Sequence, residues 1–321
     1  MFLVSLTQST TPIIGQLAQI FGVIIEYIYN FLKNVFGLES IGMTIILFTI
    51  FTRILLLPLA FKQQKSMREM QKLQPEMKKI QDKYKNKKDP ESQQKMQMEI
   101  SQLYQKNGTS PFGGCLPMLV QLPIIWALFY VLRNIPAYIG SVRQIYVGIV
   151  AKVSGVAGVG AVLTEMNEGL KALSVADFDP AVENKLIELF SKFTSEQWNS
   201  LFEKMPVLSD LLADSISHIQ HIYYWLGINL ADNPNLASIG VLIPVLNVVA
   251  QFFMSKLTMG NTSGNDQAAQ TNKTMMYTMP FITGFFTISM PAGLGLYWLV
   301  GTLFHIGQQF VINKYLDEKS A

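Results

Sequence analysis

The chain has 321 residues, of which 50% are hydrophobic and only 15% are charged, and its mean hydropathy is +0.27. About a quarter of the residues of a soluble domain are charged, so this composition excludes an ordinary soluble domain and predicts an integral membrane protein. The single cysteine, Cys115, excludes an internal disulfide framework. The formal net charge of +3 says little about partners, because the charged residues are segregated along the chain.

The first predicted element is a helix in the N-terminal segment, residues 1–38. Its apolar stretch Ile13–Phe36 is long enough to cross a membrane, but polar residues at helical spacing form one narrow stripe along it: Gln16, Gln19, Glu26, Asn30 and Lys33. This pattern is typical of an amphipathic helix that lies in the membrane interface, and we predict such a helix on the outer side. A spanning anchor and a signal-like segment are the alternatives.

Five segments are predicted to cross the membrane as helices: residues 39–61, 111–134, 236–257, 274–291 and 292–313. The first contains the apolar run Ile41–Phe61, whose about 21 residues reach across roughly 30 Å of hydrocarbon. A further apolar stretch, Ile145–Leu163, is not interpreted as a span, because a crossing there would place the lysines of the later loops outside the cell. The predicted fold class is therefore an all-α integral membrane protein with a five-helix core.

The charges of the connecting segments predict the orientation of these spans. Residues 62–110 contain twelve basic and six acidic residues, whereas residues 135–235 contain six basic and eleven acidic residues. The positive-inside rule places the first segment in the cytoplasm and the second outside. The loop 258–273, which is predicted to be flexible, and the tail 314–321 then return to the cytoplasm.

The cytoplasmic segment 62–110 is predicted to form a helical hairpin. Two methionine-containing apolar stripes with helical spacing are separated by the sequence NKKDPES, which interrupts the pattern. Its lysines are interpreted as a solvated face and a topology signal, or as contacts to anionic lipids or to a ribosome.

The outer segment 135–235 carries signals for short helices. Asp179 followed by Pro180 predicts a helix N-cap and first turn, and Thr194 with Gln197 predicts a capping box. His218 and His221 have no third ligand-type residue at metal-binding spacing, so we predict structural roles for both.

Arg53 lies inside the first span, where a charge costs roughly 2.5 to 3.5 kcal/mol on insertion scales. No acidic residue lies within the five apolar runs to pair with it, and along a straight helix Lys62 marks an interface too distant for its side chain to reach comfortably. Taken singly, the uncharged polar residues of the spans are explained by hydrogen bonds between helices. Together with the arginine they predict a hydrated cavity, lined by Arg53, Thr49, Gln121, Asn247, Gln251, Trp298, Thr302, His305 and Gln309.

Three stretches closely resemble the YidC/Oxa/Alb family of membrane protein insertases: TRILLLPLAFKQQKSMREMQKLQPEMKKIQDKY, NGTSPFGGCLPMLVQLPIIWALFYVL and MPAGLGLYWLVGTLFHIGQQFVINKYL. The resemblance implies a five-span core with a hydrophilic groove that is open to the cytoplasm and to lipid but closed to the outside. Arg53 matches the groove arginine of this family, and Gln251 and Trp298 fall where relatives place groove-lining residues. Thr302 stands where many relatives have asparagine, and the outer segment is longer than in typical short forms.

We therefore predict an insertase of the bacterial plasma membrane that works without ATP, a metal or another cofactor and has no specific nucleic-acid site. The resemblance implies nascent membrane proteins as partners, with the Sec translocon and the ribosome as further candidates. Two other functions are compatible with polar residues inside spans: a transporter or channel, and an assembly chaperone that does not itself insert proteins.

Overall fold

The computed structural model describes residues 12–85, 87, 89–108, 116–170, 173, 178–235, 237–259 and 267–318. This part of the chain is mostly helical, as the composition and periodicity predict. Its fourteen α-helices are α1 (Ile14–Phe36), α2 (Ile41–Leu55), α3 (Leu57–Lys72), α4 (Gln74–Tyr84), α5 (Pro90–Lys106), α6 (Leu116–Arg133), α7 (Gly140–Val153), α8 (Val159–Leu170), α9 (Glu183–Phe190), α10 (Ser195–Lys204), α11 (Val207–Tyr223), α12 (Leu242–Met259), α13 (Gln267–Ser289) and α14 (Ala292–Glu318). Two-residue strands β1 (Tyr224–Trp225) and β2 (Ile228–Asn229) pair antiparallel.

The first predicted span is not one straight helix. Helix α2 ends at Leu55, α3 begins at Leu57, and the two axes are bent by 59°. Pro58 explains the break, because proline lacks the N–H of a helical hydrogen bond and its ring clashes with the carbonyl four residues earlier. The expectation of one straight helix over Ile41–Phe61 is therefore wrong, and the separation of Arg53 from Lys62 does not follow a straight helix axis.

One helix of the described residues, Ile239–Thr258, is both long enough and apolar enough to cross a membrane by length and composition alone. The bent pair α2 and α3 passes the same test if it counts as one broken span, and Val120–Arg133 of α6 is apolar but shorter. Helix α14 packs against α2, α6, α12 and α13. The long helices thus form one bundle around α14.

The predicted cytoplasmic loop 258–273 is shorter than expected. Helix α12 continues to Met259 and α13 already begins at Gln267, while residues 260–266 lie outside the described part of the chain. Helix α14 likewise runs to Glu318, five residues beyond the predicted end of the last span at Asn313. Glycine and asparagine in the sequence GNTSGND favour a break, but the following QAAQTNK contains no proline or glycine that ends a helix.

Helix α1 uses part of its polar stripe inside the protein. The Glu26 carboxylate accepts a hydrogen bond from the Gly140 N–H at 2.9 Å, and the Ser141 hydroxyl lies 3.2 Å from Asn30 Oδ1. One face of α1 is buried and packs against α2 and α6. Its other face exposes apolar side chains, which include Ile20, Val23, Tyr27 and Phe31.

Helices α4 and α5 pack against each other as an antiparallel pair in the segment predicted to form a hairpin. Lys83 and Glu99 form an ion pair at 2.6 Å, and the Tyr104 hydroxyl lies 3.1 Å from the Met77 sulfur. The predicted first arm is divided between α3 and α4, because Pro75 starts a new helix. The base of the segment is fixed to the bundle, since Arg68 Nη2 donates to Asn313 Oδ1 of α14 at 2.9 Å.

The outer segment folds into α7 to α11 and the β1–β2 hairpin. The apolar stretch Ile145–Leu163 is divided between α7 and α8. The capping box of Thr194 and Gln197 at the start of α10 is confirmed. The N-cap assigned to Asp179 is wrong: its carboxylate accepts from the Ala181 N–H in a local turn, and α9 begins only at Glu183.

The outer segment shares one hydrophobic core with the bundle. The Trp225 side chain of β1 lies directly on Gly42 of α2, where an added Cβ would come 2.5 Å from the indole. Backbone hydrogen bonds join the Ala292 N–H to the Asp232 carbonyl at 2.8 Å and the Gly293 N–H to the Leu230 carbonyl at 2.9 Å. The segment therefore covers the first turns of both α2 and α14.

We predict that Gly42→Ala destabilises the protein by about 1 to 3 kcal/mol, because the methyl group overlaps the Trp225 ring in a packed contact. Thermal unfolding in detergent measures the effect. Gly148→Ala on α7 is the matched control, since its Cβ meets nothing within 4 Å, and it should be neutral or slightly stabilising. Equal unfolding temperatures for both variants would contradict the close packing at Gly42.

A polar cluster connects the α1–α2 turn to α11. The Glu39 carboxylate lies 2.8 Å from Lys33 Nζ and 2.6 Å from His218 Nε2. Burial alone would raise the pKa of Glu39, but hydrogen bonds and charge from Lys33 and His218 outweigh it and hold the pKa below its ordinary value. The contact with Glu39 gives His218 a structural role, as the sequence predicts.

Because the pKa of Glu39 is lower in the folded state, its ionisation stabilises the fold at pH values above the ordinary pKa of 4.5. This contribution is lost as the pH falls through the lowered pKa of the folded state. We expect Glu39→Gln to unfold at a lower temperature than the unmodified chain at pH 6, by an amount worth about 1 kcal/mol. The gap should shrink as the pH falls below 4.5; a gap that widens there contradicts the assignment.

Candidate functional site

Arg53 lies in the last turn of α2 and reaches both neighbouring helices. Its Nη1 donates to Gln121 Oε1 of α6 at 3.2 Å and lies 3.4 Å from His305 Nε2 of α14. A guanidinium can only donate, so His305 Nε2 is the acceptor in this contact. Gln121 in turn donates from Nε2 to the Tyr297 hydroxyl at 3.1 Å, and the four side chains form one connected polar cluster.

Helix α14 forms the surface on which the guanidinium rests. Tyr297, Gly301 and His305 follow at intervals of four residues and so share one helix face. The Arg53 Cζ lies 5.8 Å from the centre of the Tyr297 ring, within the range of a cation–π contact. A Cβ on Gly301 would stand 2.5 Å from Arg53 Nη2, so the absence of a side chain at this position makes room for the arginine.

Within the described part of the chain, the charge of Arg53 is not matched by a nearby acid. Among the side chains that the structure describes, no Asp or Glu forms an ion pair with it. Its Nε is buried and has no hydrogen-bond partner in the described residues. The cluster thus holds a cation with neutral neighbours, an arrangement that attracts a carboxylate from outside the protein.

Three of the other predicted groove residues donate hydrogen bonds to backbone carbonyls. Thr49 is fully buried, and its hydroxyl donates to the Ile45 carbonyl at 2.6 Å. The Thr302 hydroxyl donates to the Trp298 carbonyl at 3.0 Å. Asn247 connects two helices, because its Nδ2 donates to the Gly295 carbonyl at 3.0 Å as well as to its own helix.

The remaining predicted residues lie near this region without joining the described contacts of Arg53. Gln251 and Trp298 are half-buried on α12 and α14. Gln309 is buried and donates to Asn313 Oδ1 at 2.9 Å, at the attachment point of Arg68. The structure therefore brings Gln121 and His305 to Arg53 and places the others along the neighbouring helices.

Sequence reasoning missed Tyr297 and Gly301. The predicted stripe on α14 began one residue later, at Trp298, and shares only His305 with the face that meets Arg53. A signal was present, because Gly301 lies one turn before His305 and one turn after Tyr297. A glycine at that spacing from two hydrogen-bonding side chains indicates close approach of another group.

Comparison with known proteins assigns the chain to a family. The family model described as 60Kd inner membrane protein matches residues 31–319. The chain belongs to this family. Membrane protein insertase YidC of Fusobacterium nucleatum subsp. nucleatum is 32% identical over 90% of this chain and 98% of that protein, and membrane protein insertase YidC 2 of Bacillus anthracis is 30% identical over 90% and 78%. Membrane protein insertase YidC of Chloroherpeton thalassium is 33% identical over 89% of this chain, which spans only 35% of that protein.

Membership in the 60Kd inner membrane protein family confirms the resemblance and identifies the chain as a membrane protein. The match begins within α1 and includes every residue of the Arg53 cluster. Part of the second motif, residues 109–115 with Cys115, lies outside the described part of the chain. The cluster itself is described completely, on α2, α6 and α14.

Proposed function

We propose that this protein inserts membrane proteins into the lipid bilayer, and that the Arg53 cluster receives the polar tail of the client. The observation that carries the proposal is the guanidinium held on the Tyr297–Gly301–His305 face with no carboxylate partner among the described residues. The names of the relatives support the same activity.

In the proposed arrangement five segments cross the membrane: α2 with the first part of α3, then α6, residues 239–258, α13 and α14. The hairpin α4–α5 lies in the cytoplasm, the outer segment lies outside, and α1 lies in the outer interface. The twelve basic residues of 62–110 support this orientation. Arg53 is then near the cytoplasmic end of α2, about 20 Å from the outer end at 1.5 Å per residue.

The physical gain from such a cluster is a shorter apolar path. An unsatisfied backbone polar group in hydrocarbon costs several kcal/mol. A hydrated groove that extends from the cytoplasm to Arg53 lets the client tail keep its hydrogen bonds over part of the crossing. The apolar segment of the client meanwhile moves sideways into lipid, where it needs no such groove.

The outer segment covers the first turns of α2 and α14, which supports a groove that is closed on the outer side. Trp225 lies on Gly42, and the residues after β2 are hydrogen-bonded to the start of α14. Nascent membrane proteins are the substrates of this proposal. Sec translocon, ribosome and anionic lipids are further partners that the proposal accommodates at the basic hairpin.

The function is tested by reconstituting the pure protein in liposomes and adding a client with one apolar segment and a short tail. We expect the tail to become protected from external protease only when the protein is present. A chaperone without insertase activity would keep the client soluble but leave its tail accessible. A channel would release a trapped solute without any client, and either result in place of protection overturns the proposal.

A further inference from the structure

A cavity of about 800 Å³ lies between the outer segment and the outer ends of α6, α13 and α14. Its walls come from the end of α6, the α9–α10 connection, residues 231–235 and the α13–α14 turn at 289–291. None of the residues of the Arg53 cluster lines it. The cavity is therefore a second candidate site, on the opposite side of the bundle.

Two cations line the cavity. The Arg133 guanidinium lies 5.4 Å from the centre of the Phe129 ring, and Lys192 is half-buried with its Nζ 3.6 Å from Glu188. Burial lowers the pKa of Lys192, Glu188 partly opposes this, and the nearby charge of Arg133 lowers the pKa further. Two cationic side chains in the wall of one cavity favour binding of an anion there.

Two acidic residues, Glu196 and Asp232, line the same cavity. Asp232 Oδ2 accepts a hydrogen bond from Asn229 at 2.9 Å, but Asp232 Oδ1 is buried and has no partner among the described residues. Burial raises the pKa of this carboxyl group. A buried acceptor without a donor is unfavourable, and a ligand that brings an ammonium group would supply one.

The α6 wall connects the cavity to the outside of the bundle. Trp126 lines the cavity and is still 47% exposed, and Leu122 and Tyr130 continue the exposed stripe along α6. If α6 crosses the membrane, this stripe faces lipid. Trp and Tyr are enriched at the level of lipid headgroups, and Trp126 is itself part of the cavity wall.

We propose that this cavity binds the headgroup of an outer-leaflet phospholipid with a primary amine, such as phosphatidylethanolamine. The phosphate lies against Arg133 and Lys192, the ammonium donates to Asp232, and the acyl chains follow the exposed face of α6. A phospholipid with a glycerol headgroup would satisfy the cations but bring no positive charge to Asp232. The inference rests on the proposed membrane placement of α6.

The test measures phospholipid binding to the full-length protein in detergent by native mass spectrometry. We expect phosphatidylethanolamine to bind at least tenfold more tightly than either comparison lipid. Phosphatidylglycerol brings no positive charge to Asp232, and phosphatidylcholine has no N–H donor. Asp232→Asn should remove most of this preference, since it removes a charge-assisted hydrogen bond. Lys192→Gln combined with Arg133→Gln should weaken binding of all three lipids.

Asp210→Asn and Lys152→Gln are the matched controls, because both residues belong to the outer segment and neither lines the cavity. Thermal unfolding verifies that each variant is folded. Equal affinity of the unmodified protein for the three lipids overturns the proposal. Competition by soluble glycerophosphoethanolamine that is as strong as competition by the intact phospholipid also overturns it. The liposome insertion assay is a separate measurement, so lipid binding can fail while the insertase proposal stands.

Discussion

Arg53→Ala should reduce insertion of clients with acidic tails by at least tenfold. At an effective dielectric constant near 20, two opposite charges at 4 Å attract by roughly 4 kcal/mol before desolvation is subtracted, and about 1.4 kcal/mol already changes a rate tenfold. The carboxylates of the client would lose this attraction. Insertion of matched acidic-tail and neutral-tail clients into liposomes measures the difference, and neutral-tail clients should be affected less.

Arg53→Lys separates charge from shape in the same assay. Lysine keeps the positive charge but lacks the planar fork that holds a carboxylate by two hydrogen bonds, so much of the insertion of acidic tails should remain. Thermal unfolding of each variant controls for the loss of the contacts to Gln121 and His305. Full activity of Arg53→Ala on both clients would rule out an electrostatic role, and an unfolded Arg53→Ala protein would show a structural one.

Gly301→Ala should lower insertion of acidic-tail clients by about tenfold while all charges are kept. The new Cβ would stand 2.5 Å from Arg53 Nη2 and 3.2 Å from Cζ, so the guanidinium has to leave the face between Tyr297 and His305. Displacement of a charged group by about 1 Å is enough for an effect of this size. The stability should change little, because the group that moves is the end of a flexible side chain.

Gly307→Ala is the matched control on the same helix, since its Cβ meets nothing within 4 Å. Both substitutions replace glycine by alanine in α14 and change its helix propensity alike, so a difference in activity between them reports the contact with Arg53. If Gly301→Ala and Gly307→Ala insert acidic-tail clients equally well, the position of the guanidinium on α14 is unimportant.

The sequence predicts the residue types of the site better than their contacts. Arg53, Gln121 and His305 are all identified as groove residues, because polar groups within apolar runs need a physical reason. Periodicity places His305 on one stripe with Trp298 and Thr302, but it gives no information on which edge of that stripe meets α2. That choice depends on packing between α2 and α14, which a single helical pattern does not specify.

The elements themselves are predictable where a local signal is strong. The capping box at Thr194 is correct because two reciprocal hydrogen bonds act within four residues. The bend after Leu55 was missed although Pro58 is visible in the sequence. A proline can lie within one continuous span or in the first turn of a new helix that runs in another direction, and the sequence alone does not distinguish the two cases. The cover of Trp225 on Gly42 joins residues far apart in sequence, and no local pattern predicts such a contact.

The Arg53 cluster joins the beginning of the chain to its end, since Arg53 and His305 are separated by 252 positions. Contacts between such distant positions form late, because the chain between them must first be ordered. During synthesis Arg53 therefore emerges long before Tyr297, Gly301 and His305 exist. Until α14 has been made, the Arg53 guanidinium of a newly made copy therefore lacks the helix face on which it rests in the finished protein.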